Sequence, residues 1–179
     1  MAVPLVVALV LVTATPAHCR PARPPGDDDG PAVDLLQRAT GAAEGTSYRG
    51  VQDVTTWLDG RRVSQRLTVH HVPGRGTYVS EHGRPGVLSP DRLDAGSSRV
   101  LLGILTATYR VFRAGRATVA GRPADVVGVR RPGGAVVARY WLDHASGIVL
   151  RRAVFDAAGA PASDSVLRAV AMDADHPSG

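Results

Sequence analysis

From Ser47 onward, turn-forming residues recur about every ten positions, and the runs between them alternate apolar with polar side chains. That pattern leaves little room for anything but an antiparallel meander of short strands, closing partly or fully into a barrel. The strongest signal is Asp59-Gly60, because both residues tolerate positive φ and so close a two-residue hairpin between strands over 47–58 and 62–72. In the second strand Val63, Gln65, Leu67 and Val69 alternate with Ser64, Arg66, Thr68 and His70. One face therefore belongs to a core and the other to water. Pro73-Gly74 introduces a strand over 77–81, and further strands are predicted at 108–113, 116–120 and 123–131. After Pro132-Gly133-Gly134 come strands at 135–143, 147–156 and 163–173.

Two segments keep a helical period instead. Pro31 opens one, and Val33, Leu35, Leu36, Ala39, Ala42 and Ala43 carry it to Gly45. The other starts at a Ser97 or Ser98 cap and runs to Thr106, with Val100, Leu101, Ile104 and Leu105 making it strongly apolar. A helix this apolar must lie against the core face of the sheet or against a ligand. The stretch 82–98 holds two turn signals, Arg84-Pro85-Gly86 and Ser89-Pro90-Asp91, and no predicted strand. The whole reads as a mostly β, α+β chain.

Ahead of the first helix the sequence changes character. Val3 to Ala17 is apolar and uncharged, shorter than a membrane span but suited to a signal peptide, with small residues before a cut after Ala17. We therefore expect a signal peptide over 1–17, a linker over 18–30 and a folded domain over 31–175, in an exported, extracytoplasmic protein. The linker holds prolines, glycines and Asp27-Asp28-Asp29, which bury no apolar area and lack the alternating spacing of a calcium loop. Cys19 follows His18, where a lipobox requires a small residue, so it reads as a thiol in the linker. As the sole cysteine it makes no internal disulfide, and the core alone must hold the fold.

All 21 basic residues are arginines, and the formal net charge is +5. Nucleic-acid binding would need a basic stripe interleaved with aromatic platforms, whereas these arginines are scattered among acids and aromatics make up only 4% of the chain. An anionic lipid surface or an acidic protein patch remains compatible with the charge. His70 and His71 are neighbours in a strand, so their rings face opposite sides and cannot share an ion. The histidines are expected at surfaces and edges, with His144 in a hairpin loop. No Gly-x-Ser-x-Gly elbow, phosphate loop or dinucleotide fingerprint is present, so no enzyme activity, catalytic residue, metal or cofactor is expected. Trp57 and Trp141 stand in predicted strands, where packing is the usual role and lining a lipid groove the alternative.

The C-terminal half also carries a resemblance. Val119-Ala120-Gly121-Arg122-Pro123-Ala124, Arg139-Tyr140-Trp141-Leu142-Asp143, Ser146-Gly147-Ile148-Val149-Leu150-Arg151-Arg152 and Phe155-Asp156-Ala157-Ala158-Gly159 resemble the N-terminal domain of MucB/RseB-type sigma-factor regulatory proteins. The first helix leading into Tyr48-Arg49-Gly50 looks like the start of the same domain, and the wider group similar to LolA-type lipoprotein carriers shares the Trp-Leu-Asp hairpin pattern. The resemblance implies a half-open antiparallel β-barrel with two helices on its concave side. It implies a cavity associated with acyl chains or lipoproteins, and a membrane-bound anti-sigma factor as a further partner. Leu101, Leu102 and Leu105, with Trp57 and Trp141, are the candidate lining residues. MucB/RseB-type proteins continue into a second domain that joins the anti-sigma contact; the sequence here stops after its last predicted strand.

Overall fold

The computed structural model describes residues 30–58, 60–81, 87–89 and 95–172. The predicted signal peptide over 1–17, Cys19 and nearly all of the predicted linker lie outside the described residues. Helix α1 (Gly30–Gly45) has Pro31 in its first turn, where a missing N–H costs nothing, and buries Ala32, Leu36, Ala39 and Ala42 along one stripe.

The first hairpin, β1 (Tyr48–Leu58) and β2 (Arg61–Val72), pairs in unbroken register from Tyr48↔His71 to Leu58↔Arg61. The strands β3 (Gly76–Glu81) and β4 (Val87–Ser89) complete this half, and α2 (Ala95–Thr108) follows. The second half is the meander β5 (Arg110–Val119), β6 (Arg122–Arg130), β7 (Val136–Asp143), β8 (Val149–Phe155) and β9 (Pro161–Met172). The nine strands among the described residues form one antiparallel sheet in the order β4-β3-β2-β1-β9-β8-β7-β6-β5. Register shifts in the β1–β9, β5–β6, β6–β7 and β7–β8 pairings mark bulges that bend the sheet. Its edges, β4 and β5, do not meet. The result is a half-open barrel with α1 and α2 against one face.

Most boundaries fall within two residues of expectation, but three features differ. The strands expected at 108–113 and 116–120 are the single strand β5. Its register with β6 slips between Arg113 and Arg116, where Gly115 takes φ 100°, so the glycine serves a bulge and not a turn. The stretch 82–98, read as strandless, contains β4, paired to β3 through Thr77↔Ser89. Finally, α2 runs about two residues beyond its predicted limits at each end.

Two apolar clusters form the core, the first on the helix side and the second reaching through the sheet to Ala124 and Trp141 on its other face. One joins Ala32, Leu36 and Ala39 of α1 to Val111, Val127 and Leu142, with Leu102 and Leu105 of α2 packed on it. The other gathers Ala42, Val69, Ile148, Leu150 and Leu167, with Tyr48 and Val79 beside them. The apolar face predicted for β2 is thus buried at Val69, while Val63 near the hairpin tip is exposed.

His71 corrects the expectation that the histidines sit at surfaces. It is buried on the helix side and stacks on Tyr48 at 5.2 Å. Its Nε2 lies 2.7 Å from the Ala43 carbonyl, which only accepts, so Nε2 donates there, and Nδ1 shares a hydrogen bond with the Thr77 hydroxyl at 2.9 Å. The ring thereby ties the end of α1 to β2 and β3. His70, on the opposite face as adjacency requires, is exposed.

Candidate functional site

Between α1 and α2 lies a cavity of about 450 Å³, lined by Val33, Gln37, Thr40 and Gly41 of α1 and by Leu102, Gly103 and Thr106 of α2. Thr40 Oγ1 donates to the Gln37 carbonyl at 2.7 Å, and Thr106 Oγ1 donates to the Leu102 carbonyl at 3.0 Å. Both hydroxyls donate to their own helices and keep lone pairs able to accept, and the Gln37 amide adds both donors and an acceptor. The walls are mixed, with Val33 and Leu102 supplying the apolar side chains beside nearly as much polar surface, and the volume falls in the range of about 300–1,000 Å³ usual for small-molecule sites.

Helix α2 is apolar on two sides. Leu102 and Leu105 turn toward α1. Val100 and Ile104, four apart on the opposite side, are 62% and 57% exposed.

The predicted lining residues separate accordingly. Leu102 lines the cavity, and Leu105 packs where α2 meets α1. Leu101 is on the same helix, but its side chain lies outside the described residues. Trp57 and Trp141 are not brought to the cavity. Trp57 alternates with Thr56, and Trp141 with Leu142, so both rings sit on the face away from the helices. There Trp141 is covered by the Arg151 guanidinium, 4.5 Å from its centroid. The sequence reading missed Gln37, Gly41, Gly103 and Thr106. Their signal was a stripe of small and amide residues at positions 37, 41, 103 and 106 in two otherwise Ala- and Leu-rich helices.

A second, open depression of about 390 Å³ lies where the start of α1 meets β5 and β6, with Arg38, Arg113, Arg116, Asp34, Asp125 and His144 around it. Asp125 is 4% exposed and accepts from His144 Nδ1 at 2.7 Å. That bond lowers the Asp125 pKa against the opposing effect of burial. Its other oxygen has no hydrogen bond and faces Arg116 Nε at 3.5 Å. An Asp–His pair is half of a nucleophilic triad, but the nearby Ser146 hydroxyl donates to Asp143 at 2.8 Å and not to the imidazole. Among the described residues, no three His, Cys, Asp or Glu side chains gather to hold a metal ion.

The β7–β8 turn beside this depression accounts for the Trp-Leu-Asp, loop, Gly pattern. Asp143, 1% exposed, accepts a two-pronged bond from Arg122 (Nε 2.7 Å, Nη2 2.9 Å), and also bonds from the Ser146 N–H and hydroxyl, both at 2.8 Å. Burial alone would raise its pKa, yet Arg122 and Ser146 outweigh burial and bring it to about 2. Gly147 takes φ 85°, and Arg38 of α1 crosses it to donate to the carbonyls of His144 and Ala145. The motif therefore builds a rigid turn on which α1 is docked.

No protein-family model and no curated protein matches the sequence. Solved structures do. The MucA/MucB complex of Pseudomonas aeruginosa superposes with a TM-score of 0.56 at 19% identity, covering 81% of this chain and 58% of that one. The fold is MucB-like. A crystal structure of MucB gives a TM-score of 0.53 at 20% identity, over 83% of this chain and 61% of that one. MucB in complex with MucA(peri) gives 0.53 at 18%, over 80% and 56%. The chain thus spans between 56% and 61% of the MucB chains it matches.

Proposed function

We propose that this chain is an extracytoplasmic, non-catalytic binding protein that recognises the exposed segment of a membrane-bound anti-sigma factor. The observation that carries the reading is the two-sided helix α2: one side walls the cavity with Leu102, and the other presents Val100 and Ile104 to solvent. A partner segment laid over α2 would cover those two side chains and insert an apolar group between the helices. Leu101, Leu102 and Leu105 are the residues on which such recognition would depend. Support also comes from the MucB-like fold, since MucB is seen in complex with MucA. The apolar leader over 1–17 supports export.

The test is photo-crosslinking from position 104 of the full chain in the producing cell. The expected adduct is one single-span membrane protein whose cytoplasmic part binds a sigma factor. No protein adduct from position 104, with normal crosslinking from a control position, overturns the reading.

The volume of the cavity, with Val33 and Leu102 in its wall, favours a second reading, in which the same space holds a lipid acyl chain. Native mass spectrometry separates the two. Discrete added masses matching lipids indicate acyl binding, and a clean apo mass with no uptake of added fatty acid removes it.

A further inference from the structure

The sheet face away from the helices is charged in layers. Alternation places Arg49, Arg62, Arg66, Arg130, Arg139 and Arg168 on it, across strands β1, β2, β6, β7 and β9, and all six are exposed. The acids on the same strand faces, among the described residues, are Asp53, Asp143 and Asp164, and none of them is exposed. Each is already engaged by guanidinium: Asp53 by both Arg66 and Arg168, Asp143 by Arg122, and Asp164 by Arg151. The acids therefore form an inner layer, and the outermost layer of the face is arginine.

We propose that this face docks on the anionic headgroups of a lipid bilayer. The arginines form a broad field over five strands, which suits a laterally continuous array of phosphates. Arginine suits phosphate in particular, because its planar fork bonds two oxygens at once and is weakly hydrated. A curved face need not touch the membrane everywhere, since the attraction extends about 8–10 Å at physiological salt. Single-stranded nucleic acid would also need open aromatic platforms. Arg151 covers the Trp141 ring and Arg130 lies over the Phe112 ring at 5.3 Å, which leaves Tyr78 and the half-buried Trp57 as the aromatics, among the described residues, that such a ligand could use on this face. Docked by this back face, the molecule holds α1, α2 and their cavity turned away from the headgroups. The inference rests on the proposed function only for which side of a membrane is met, and the two readings fail separately.

The test compares partition of the full chain onto phosphatidylcholine vesicles with and without phosphatidylglycerol. The full chain carries the apolar run at 3–17, so the readout is the excess on anionic vesicles, which is lost as salt rises. Each arginine at the surface is worth about fivefold in partition, so the triple variant R62Q/R130Q/R139Q is expected to lose about 100-fold of that excess. The triple R75Q/R116Q/R152Q removes the same charge from elsewhere and is expected to leave the excess nearly intact. A thermal melt checks each fold; should the first triple not fold, its three single variants each read the fivefold loss. An equal loss in both triples, no preference for anionic vesicles, or tighter retention on polyglutamate or single-stranded DNA at the same salt would overturn the proposal.

Discussion

At the scale of single residues, the structure turns on Asp143. A buried carboxylate with four donors keeps the β7–β8 turn in one shape, and α1 docks on that turn through Arg38. Its folded pKa of about 2 lies below the ordinary 3.8, so between those values the unfolded chain holds more protons than the folded one. Stability from this group is therefore complete above about pH 4 and is lost as pH falls toward 2. Asp143→Asn is expected to cost about 3 kcal/mol at neutral pH, because Arg122 loses its ionic partner in a half-buried place. The same variant should also flatten the acid limb of the stability curve. Urea melts at pH 7 and across pH 2–4 check both; equal slopes for the two proteins would contradict this account. The sequence displayed Asp143 as part of a familiar hairpin, but Arg122, twenty-one residues away, gave no sign of being its partner. Trp141 was visible as a large apolar side chain in a strand. Alternation separates it from Leu142 without saying which of the two faces the helices.

At the scale of elements, strands and hairpins were readable because alternation and turn chemistry are local. The reading failed where a local signal had a distant cause. Gly115 looks like a turn residue and serves a bulge, because β6 continues past it. The cavity depends on how two helices, some sixty residues apart in sequence, are apposed, and no local pattern reports that. Gly41 and Gly103 show the cost of keeping it open. A Cβ at either would meet nothing within 4 Å, and alanine is better than glycine inside a helix by about 1 kcal/mol. Gly41→Ala and Gly103→Ala are therefore each expected to raise stability by about that amount while weakening whatever occupies the cavity. Thermal melts and the crosslinking yield from position 104 measure the two effects. Destabilisation by both substitutions would mean that the helices are closer than described.

At the scale of the whole molecule, the fold class, the half-open barrel and the helices on one face follow from the order of patterns along the chain and from the hairpin resemblance. The order of strands in the sheet did not. β1 pairs with β9 from Tyr48↔Met172 to Thr56↔Ser163, joining the earliest and latest strands in the middle of the sheet. Gln52 donates to the Ser165 hydroxyl and Arg168 reaches Asp53 across the same seam. The two halves otherwise touch mainly through the helix side. Removing 161–172 is expected to abolish the cooperative melt altogether, with neither half folding alone; a truncated chain that still melts sharply would show that the halves are independent.

That seam also sets a timetable. A chain that emerges N-terminus first, from a ribosome or through an export channel, can form the β1–β2 hairpin early and the later hairpins in turn. Its central joint waits for the last strand, because contacts separated by more than a hundred residues must carry the entropy of closing the whole loop. Until Met172 is through, β1 and β8 each present an open edge that β9 will later fill, beside the lasting edges β4 and β5. The chain stays pliable enough to be threaded, and locks only on arrival.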